Sequence, residues 1–160
     1  MNPTKNDLDA AKRKKIVELL QRQLVDLINL QLQAKQAHWN VKGLQFYQLH
    51  ELFDSVASAV TALVDETAER AVALGGLVNG TIEGVSKQSK LKAYPVDIVD
   101  GAAHVDALSS AIAEVAKSTR AAIDEAESLG DAGTADLFTA ASRELDKQLW
   151  FVEAHLQSGK

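Results

Sequence analysis

Two steps of four residues, His50/Asp54 and Asp65/Glu69, are the part of this chain best suited to chemistry. In a helix a four-residue step puts both side chains on one face, one turn apart, so each pair offers two donors to the same metal ion. At about 100° per residue with His50 at zero, Asp54 falls near 40°, Asp65 near 60° and Glu69 near 100°. Leu52, Phe53, Val56, Val60, Leu63, Val64 and Leu74 fall between roughly 200° and 320°. The donor face and the core face therefore point in nearly opposite directions. That arrangement suits a metal held between two chains, not one buried inside the chain's own bundle.

Lengths sharpen the point. The midpoints of the two pairs are 15 residues apart, about 22 Å of helix at about 1.5 Å per residue. Neither one ion nor two ions about 3.5–4 Å apart can span that distance. Two copies packed antiparallel about a twofold axis near Ala59 and Val60 place one chain's His50/Asp54 beside the other's Asp65/Glu69. Symmetry then makes two equivalent sites. Ala57, Ser58, Thr61 and Ala62 between the pairs are small and permit close approach. The competing reading is four solvated polar residues on an outer face, and spacing alone leaves the two balanced.

The elements that position these residues follow from periodicity. Ile16, Leu19, Leu20, Leu24, Leu27 and Ile28 recur at helical spacing and predict a helix over about residues 9–38, stopped at Gly43. A second helix is expected over 46–74 and stops at Gly75-Gly76. Residues 79–99 are polar, too long for a plain bundle turn, and predict a crossover or functional excursion with one short helix. Further helices are expected over 101–129 and 134–157. The fold class is thus all-α: a four-helix bundle with one long crossover, the ferritin-like topology. No Glu-x-x-His step occurs, which removes the ordinary intra-bundle di-iron site and favours the inter-chain reading.

Composition sets the outer limits. At 160 residues the chain suits one domain, 1–160, with a short N-terminal tail at 1–8 and a C-terminal tail at 158–160. There is no cysteine, so thiolate sites and disulfides are excluded, and imidazole and carboxylate are left to bind iron, manganese or zinc. The N-terminus reads as lacking a signal peptide and no window reads as a membrane span, so a soluble, cytoplasmic protein is expected. The formal net charge of −5 argues against nucleic-acid binding by bulk electrostatics. The local exception is the run Lys12, Arg13, Lys14 and Lys15, with Lys5 upstream; a solvated helix start is its plainer reading.

At Ala37-His38-Trp39-Asn40-Val41-Lys42-Gly43, followed by Phe46, Leu49-His50-Glu51, Phe53-Asp54, Asp65, Ala68-Glu69-Arg70 and Leu74-Gly75-Gly76, the chain closely resembles the Dps family of bacterial mini-ferritins. Its end, with Thr134-Ala135-Asp136, the stretch from Ala140 to Lys147 and Leu149-Trp150-Phe151, resembles the same family. The resemblance implies a homo-dodecameric shell that oxidises Fe(II) and stores the ferric product. It implies a ferroxidase centre at the twofold interface holding two irons, with His38, His50 and Asp54 from one chain and Asp65 and Glu69 from its partner. Asp54 and Glu69 are then the carboxylates most directly on iron, and Asp65 holds a ligand or the second metal. Zinc is a possible substitute, since the donor types do not discriminate.

The same resemblance implies hydrogen peroxide, or else dioxygen, as oxidant, so that two Fe(II) are oxidised together without releasing hydroxyl radical. Trp39 becomes an electron donor for leaked radical chemistry, beside its plainer role as an interface aromatic. Asp136, with Asp131 as a second contributor, matches acidic residues that line an iron-entry pore, although Asp131 also reads as a helix cap. His104 and His155 match no ligand position and are expected to be surface or capping residues. DNA binding, the family's other activity, depends on lysine-rich tails. Here the basic run is expected within the first turns of the first helix, and twelve copies carry about −60 in total, twelve times −5. Weak, salt-sensitive association is expected. The alternative function is a nucleoid-compacting shell whose metal site is incidental.

Overall fold

The computed structural model describes residues 1–157; the C-terminal tail expected at 158–160 lies outside them. Five helices are present among the described residues: α1 (Ala10–Asn40), α2 (Phe46–Ala73), α3 (Ile82–Gln88), α4 (Gly101–Ser128) and α5 (Ala132–Glu153). α1 packs along α2 and α4 along α5, two antiparallel hairpins joined by the crossover that carries α3. This is the expected all-α ferritin-like bundle.

The helix starts are set by aspartates. Asp9 accepts from the Ala11 and Lys12 amides, both at 3.0 Å, and Asp100 accepts from the Ala102 and Ala103 amides that begin α4. An aspartate here satisfies orphan amides and brings negative charge to the positive end of the helix dipole. For α1 that carboxylate stands at the head of the basic run. Asp131 caps α5 in the same way, so that helix begins at Ala132, two residues before the expected start, and it ends at Glu153 instead of running to 157. After α2 and α4 the chain turns through Gly75 (φ 87°) and Gly130 (φ 82°), left-handed positions that favour glycine. Gly75 is further constrained because an added Cβ would stand 2.7 Å from the Asn2 carbonyl.

Two buried clusters fill the bundle. Ile16, Leu19, Leu20, Leu74, Ala126 and Phe138 pack at one end. Leu30, Leu49, Phe53, Val56, Leu108, Ile112 and Leu145 fill the middle and the other end. Ala57 is buried among them, so it serves the core and not the outer donor face assigned to it from the sequence. Leu52 and Val64 flank the same core.

The crossover is held tightly against α1. Buried Asp26 accepts from the Ser89 hydroxyl at 2.8 Å and the Lys90 amide at 2.7 Å, and the Gln33 amide donates to the Lys92 carbonyl at 3.0 Å. Further on, the Lys42 amide donates to the Val99 carbonyl at 2.8 Å. The N-terminal residues are pinned as well. The Asn2 amide donates to the Gly75 carbonyl at 2.6 Å, and Arg13 reaches the Leu8 carbonyl at 3.0 Å and the Leu74 carbonyl at 3.3 Å. Residues 1–8 therefore run along the end of the α1–α2 hairpin and do not form a free arm.

Candidate metal centre

The last turn of a helix leaves carbonyls without helical partners. In α1 the His38 carbonyl accepts from His50 Nδ1 at 2.9 Å, and His38 Nδ1 donates in return to the His50 carbonyl at 2.7 Å. A carbonyl can only accept, so both Nδ1 atoms carry a proton and Nε2 is the nitrogen each ring has left for a metal. The rings stack with centroids 3.7 Å apart at 21°, and Phe46 packs 5.2 Å from the His50 ring. Fixing Nδ1 on a carbonyl orients an imidazole and commits Nε2 to a metal. The arrangement thus binds α1 to α2 and presents two ligand-ready imidazoles.

Asp54, one turn beyond His50, is half-exposed and pairs with Lys35 at 2.5 Å. The Lys35 ammonium holds the Asp54 carboxyl below the usual carboxylate range, with His38 and His50 adding in the same direction. Lys35 also lies 5.8 Å from the centre of the Trp39 ring, which is 65% exposed. Sequence reasoning missed Lys35. Its signal was position: it lies one turn before His38 and Trp39 on the same helix.

Asp65 and Glu69 are exposed further along α2 and make no hydrogen bond or ion pair among the described residues. No group of three His, Cys, Asp or Glu side chains that could hold a metal forms among the described residues. One protomer thus brings His38, His50 and Asp54 into one neighbourhood and leaves Asp65 and Glu69 roughly four turns away.

Of the two pore candidates, Asp136 is exposed on α5. It lines an open cleft of about 450 Å³ together with Glu66, Glu69 and Arg70, which joins it to one of the candidate ligands; Glu66 was not singled out from the sequence. Asp131 is a correction. It is 3% exposed, accepts from Arg70 at 2.7 and 2.9 Å and from the Thr134 amide at 3.2 Å. A carboxylate consumed in this way caps α5 and ties it to α2, and it has no free charge to show a passing ion.

His104 is the second correction. It is 1% exposed, not a surface residue, with Nδ1 2.7 Å from the Tyr94 hydroxyl and its ring against Phe53. Its apolar neighbours Val105 and Leu108 gave no hint that a histidine shared their face. His155 sits at the end of α5, its Nδ1 donating to the Phe151 carbonyl at 3.0 Å, a capping role. Of the basic residues, Lys5, Lys12, Lys14 and Lys15 are exposed, whereas Arg13 is spent on the backbone contacts that pin the N-terminal segment. No helix among the described residues is long and apolar enough to cross a membrane.

Known proteins share this fold. Residues 17–160 match the family described as ferritin-like domain. The DNA protection during starvation protein of Agrobacterium fabrum is 49% identical over 154 residues, covering 96% of this chain and 95% of the relative. The structure of Mycobacterium smegmatis Dps superposes with a TM-score of 0.93 at 36% identity, over 99% of this chain and 90% of the other. That of the Dps protein from Vibrio cholerae, described as a member of a broad superfamily of ferritin-like diiron-carboxylate proteins, gives 0.90 at 25% identity over 98% of both chains. A bundle with one pinned crossover, stacked imidazoles at the α1–α2 junction and an outward acidic step on α2 accompanies these matches, and the chain belongs to the Dps family of ferritin-like proteins.

Proposed function

We propose that the protein is a ferroxidase and iron store, with Fe(II) as substrate, acting in a dodecameric shell and protecting against oxidative stress. The observation that supports this reading is the reciprocal histidine pair, which ties each Nδ1 to a carbonyl and leaves Nε2 of both rings as the atom for a metal, one turn from Asp54 on α2. His38, His50 and Asp54 of one chain and Asp65 and Glu69 of another form a mixed imidazole–carboxylate set that binds Fe(II) and retains it as the harder Fe(III). Each site takes two Fe(II). Each iron gives one electron to hydrogen peroxide, which takes up two protons and leaves as water. Dioxygen is the slower alternative, and zinc competes for the same donors. The cleft that joins Asp136 to Glu66 and Glu69 offers an acidic approach for incoming Fe(II), with like charges concentrating the cation.

The test is anaerobic loading with Fe(II) followed by a peroxide pulse. Rapid ferric absorbance and electron-dense cores inside shells are expected. Oxidation no faster than in protein-free buffer, with no cores, rejects the reading.

Lys35 sharpens it. Its ammonium neutralises Asp54 before iron arrives, so Fe(II) must displace it. Lys35→Met removes that competitor, and Fe(II) affinity measured anaerobically is expected to rise roughly fivefold, the equivalent of about 1 kcal/mol for a part-exposed pair. Unchanged affinity would place Lys35 away from the bound iron.

For the nucleoid-compacting alternative, the pinned residues 1–8 leave, among the described residues, surface lysines on a particle of net negative charge. Retardation of DNA in a gel is expected at low salt and lost near physiological ionic strength. A shift that persists there would restore the DNA-binding reading.

A further inference from the structure

Half-buried Tyr94 and buried His104 form a polar couple that the iron reading does not use. The phenol of Tyr94, half-buried where the crossover meets α4, hydrogen-bonds His104 Nδ1 at 2.7 Å, with the rings 6.0 Å apart and tilted by only 19°. His104 Nε2 is buried with no hydrogen-bond partner. Of the two groups in that bond the phenol is the stronger acid and the imidazole nitrogen the stronger base, so Nδ1 is bare and the ring proton sits on Nε2. The Tyr94 hydroxyl is then the donor.

Burial pushes the Tyr94 hydroxyl up, well above the ordinary phenol range, and holds His104 below the ordinary histidine range, offset in part by Ile98 and Asp100. At neutral pH the couple is a neutral phenol facing a neutral imidazole. Neither is poised for acid–base catalysis, because the phenol holds its proton too tightly to donate it. Losing an electron changes that, since an oxidised phenol is a strong acid. In a buried site the proton needs an acceptor already in contact, and His104 Nδ1 is that acceptor. Tyr47, the chain's other tyrosine, is 68% exposed and has no such partner among the described residues.

The geometry points to Tyr94 as a reversible one-electron donor whose proton moves to His104 as its electron leaves. The balanced step takes one electron from Tyr94 to a strong one-electron oxidant such as hydroxyl radical, which becomes hydroxide. The O–H bond of Tyr94 breaks, and the proton forms an N–H bond at His104 Nδ1. The products are a neutral phenoxyl radical and an imidazolium. Asp100 favours that imidazolium while the N-terminal end of α4 opposes it, so the proton returns once the radical is reduced. An open cleft of about 550 Å³ borders Tyr94, with Lys90 and Lys92 in its wall, and admits a small reductant to restore it. Iron and peroxide as the source of the oxidant rest on the ferroxidase reading; the chemistry of the couple does not.

The test therefore begins without iron. Azidyl radicals are generated by pulse radiolysis in the assembled Tyr47→Phe protein, where Tyr94 is the only tyrosine. A phenoxyl absorbance and a tyrosyl spin-resonance signal are expected, forming more slowly in deuterium oxide than in water. His104→Gln, which removes the base, is expected to lose most of the signal. No phenoxyl in Tyr47→Phe, or phenoxyl with no isotope effect, overturns the proposal, and the isotope measurement stands even if His104→Gln does not fold. Repeating the experiment with Fe(II) and peroxide then asks about the oxidant alone. Silence there, with a signal in the iron-free arm, removes iron and peroxide as the source of the oxidant, as paired two-electron oxidation without radical release requires, and leaves the couple standing.

Discussion

Chains carrying His50→Ala/Asp54→Ala and chains carrying Asp65→Ala/Glu69→Ala are each expected to lose peroxide-driven Fe(II) oxidation, and to recover part of it when unfolded together and reassembled. Removing ligands outright is expected to cost at least the roughly 10–100-fold seen when groups that merely orient a metal's ligands are lost. In a twofold dimer made from one chain of each kind, one of the two sites collects four intact side chains and the other collects none. Random pairing makes about half the dimers mixed, so the mixture is expected to regain about a quarter of the wild-type rate. The measurement is the initial ferric absorbance at fixed total chain concentration. A mixture as inert as its parents would overturn the inter-chain site.

The second large effect is on folding. Asp131 is nearly enclosed and accepts at once from Arg70 and from the hydroxyl and the amide of Thr134 in the first turn of α5. Breaking a buried ion pair by deleting one partner costs about 3–5 kcal/mol. Arg70 is 26% exposed in its side chain, so water recovers part of that, and Asp131→Ala is expected to cost about 2–4 kcal/mol with the lost cap included. Asp131→Asn keeps a capping oxygen and is expected to cost less. Burial pushes the Asp131 carboxyl up, but hydrogen bonds from Thr134 and Arg70 outweigh it and hold the folded value below the ordinary one. The unfolded chain then binds a proton more readily than the folded one. The stabilisation is complete above about pH 4, the ordinary aspartate range, and fades as pH falls through the folded value. Denaturant unfolding at fixed chain concentration from neutral to acidic pH checks both claims. An Asn variant with the same acid limb as wild type would show that this pair does not set it.

The fold was legible because its signals are local. The spacing of Ile16, Leu19, Leu20 and Leu24 shows one face of α1, and Gly75 and Gly130 mark turns with positive φ that few other residues adopt. The acidic step on α2 was legible for the same reason, since periodicity fixes which side chains share a face. The resemblance supplied His38, which no four-residue step picks out. Contacts across elements were not legible. Lys35 on Asp54, Arg70 on Asp131 and Tyr94 on His104 join residues 19, 61 and 10 positions apart, and no local rule relates them. Asp131 shows the difficulty well. Its place before α5 predicted a cap, its charge predicted a pore, and only burial by Arg70 decides for the cap.

A protomer with an incomplete set of donors has a bearing on timing. On the proposed reading each working site needs side chains from two chains, so at low concentration the number of working sites rises with the square of the chain concentration. On that reading a newly made chain is inert towards iron, reactivity arrives only with the neighbour that also builds the wall around the product, and the mineral has a container before there is anything to contain.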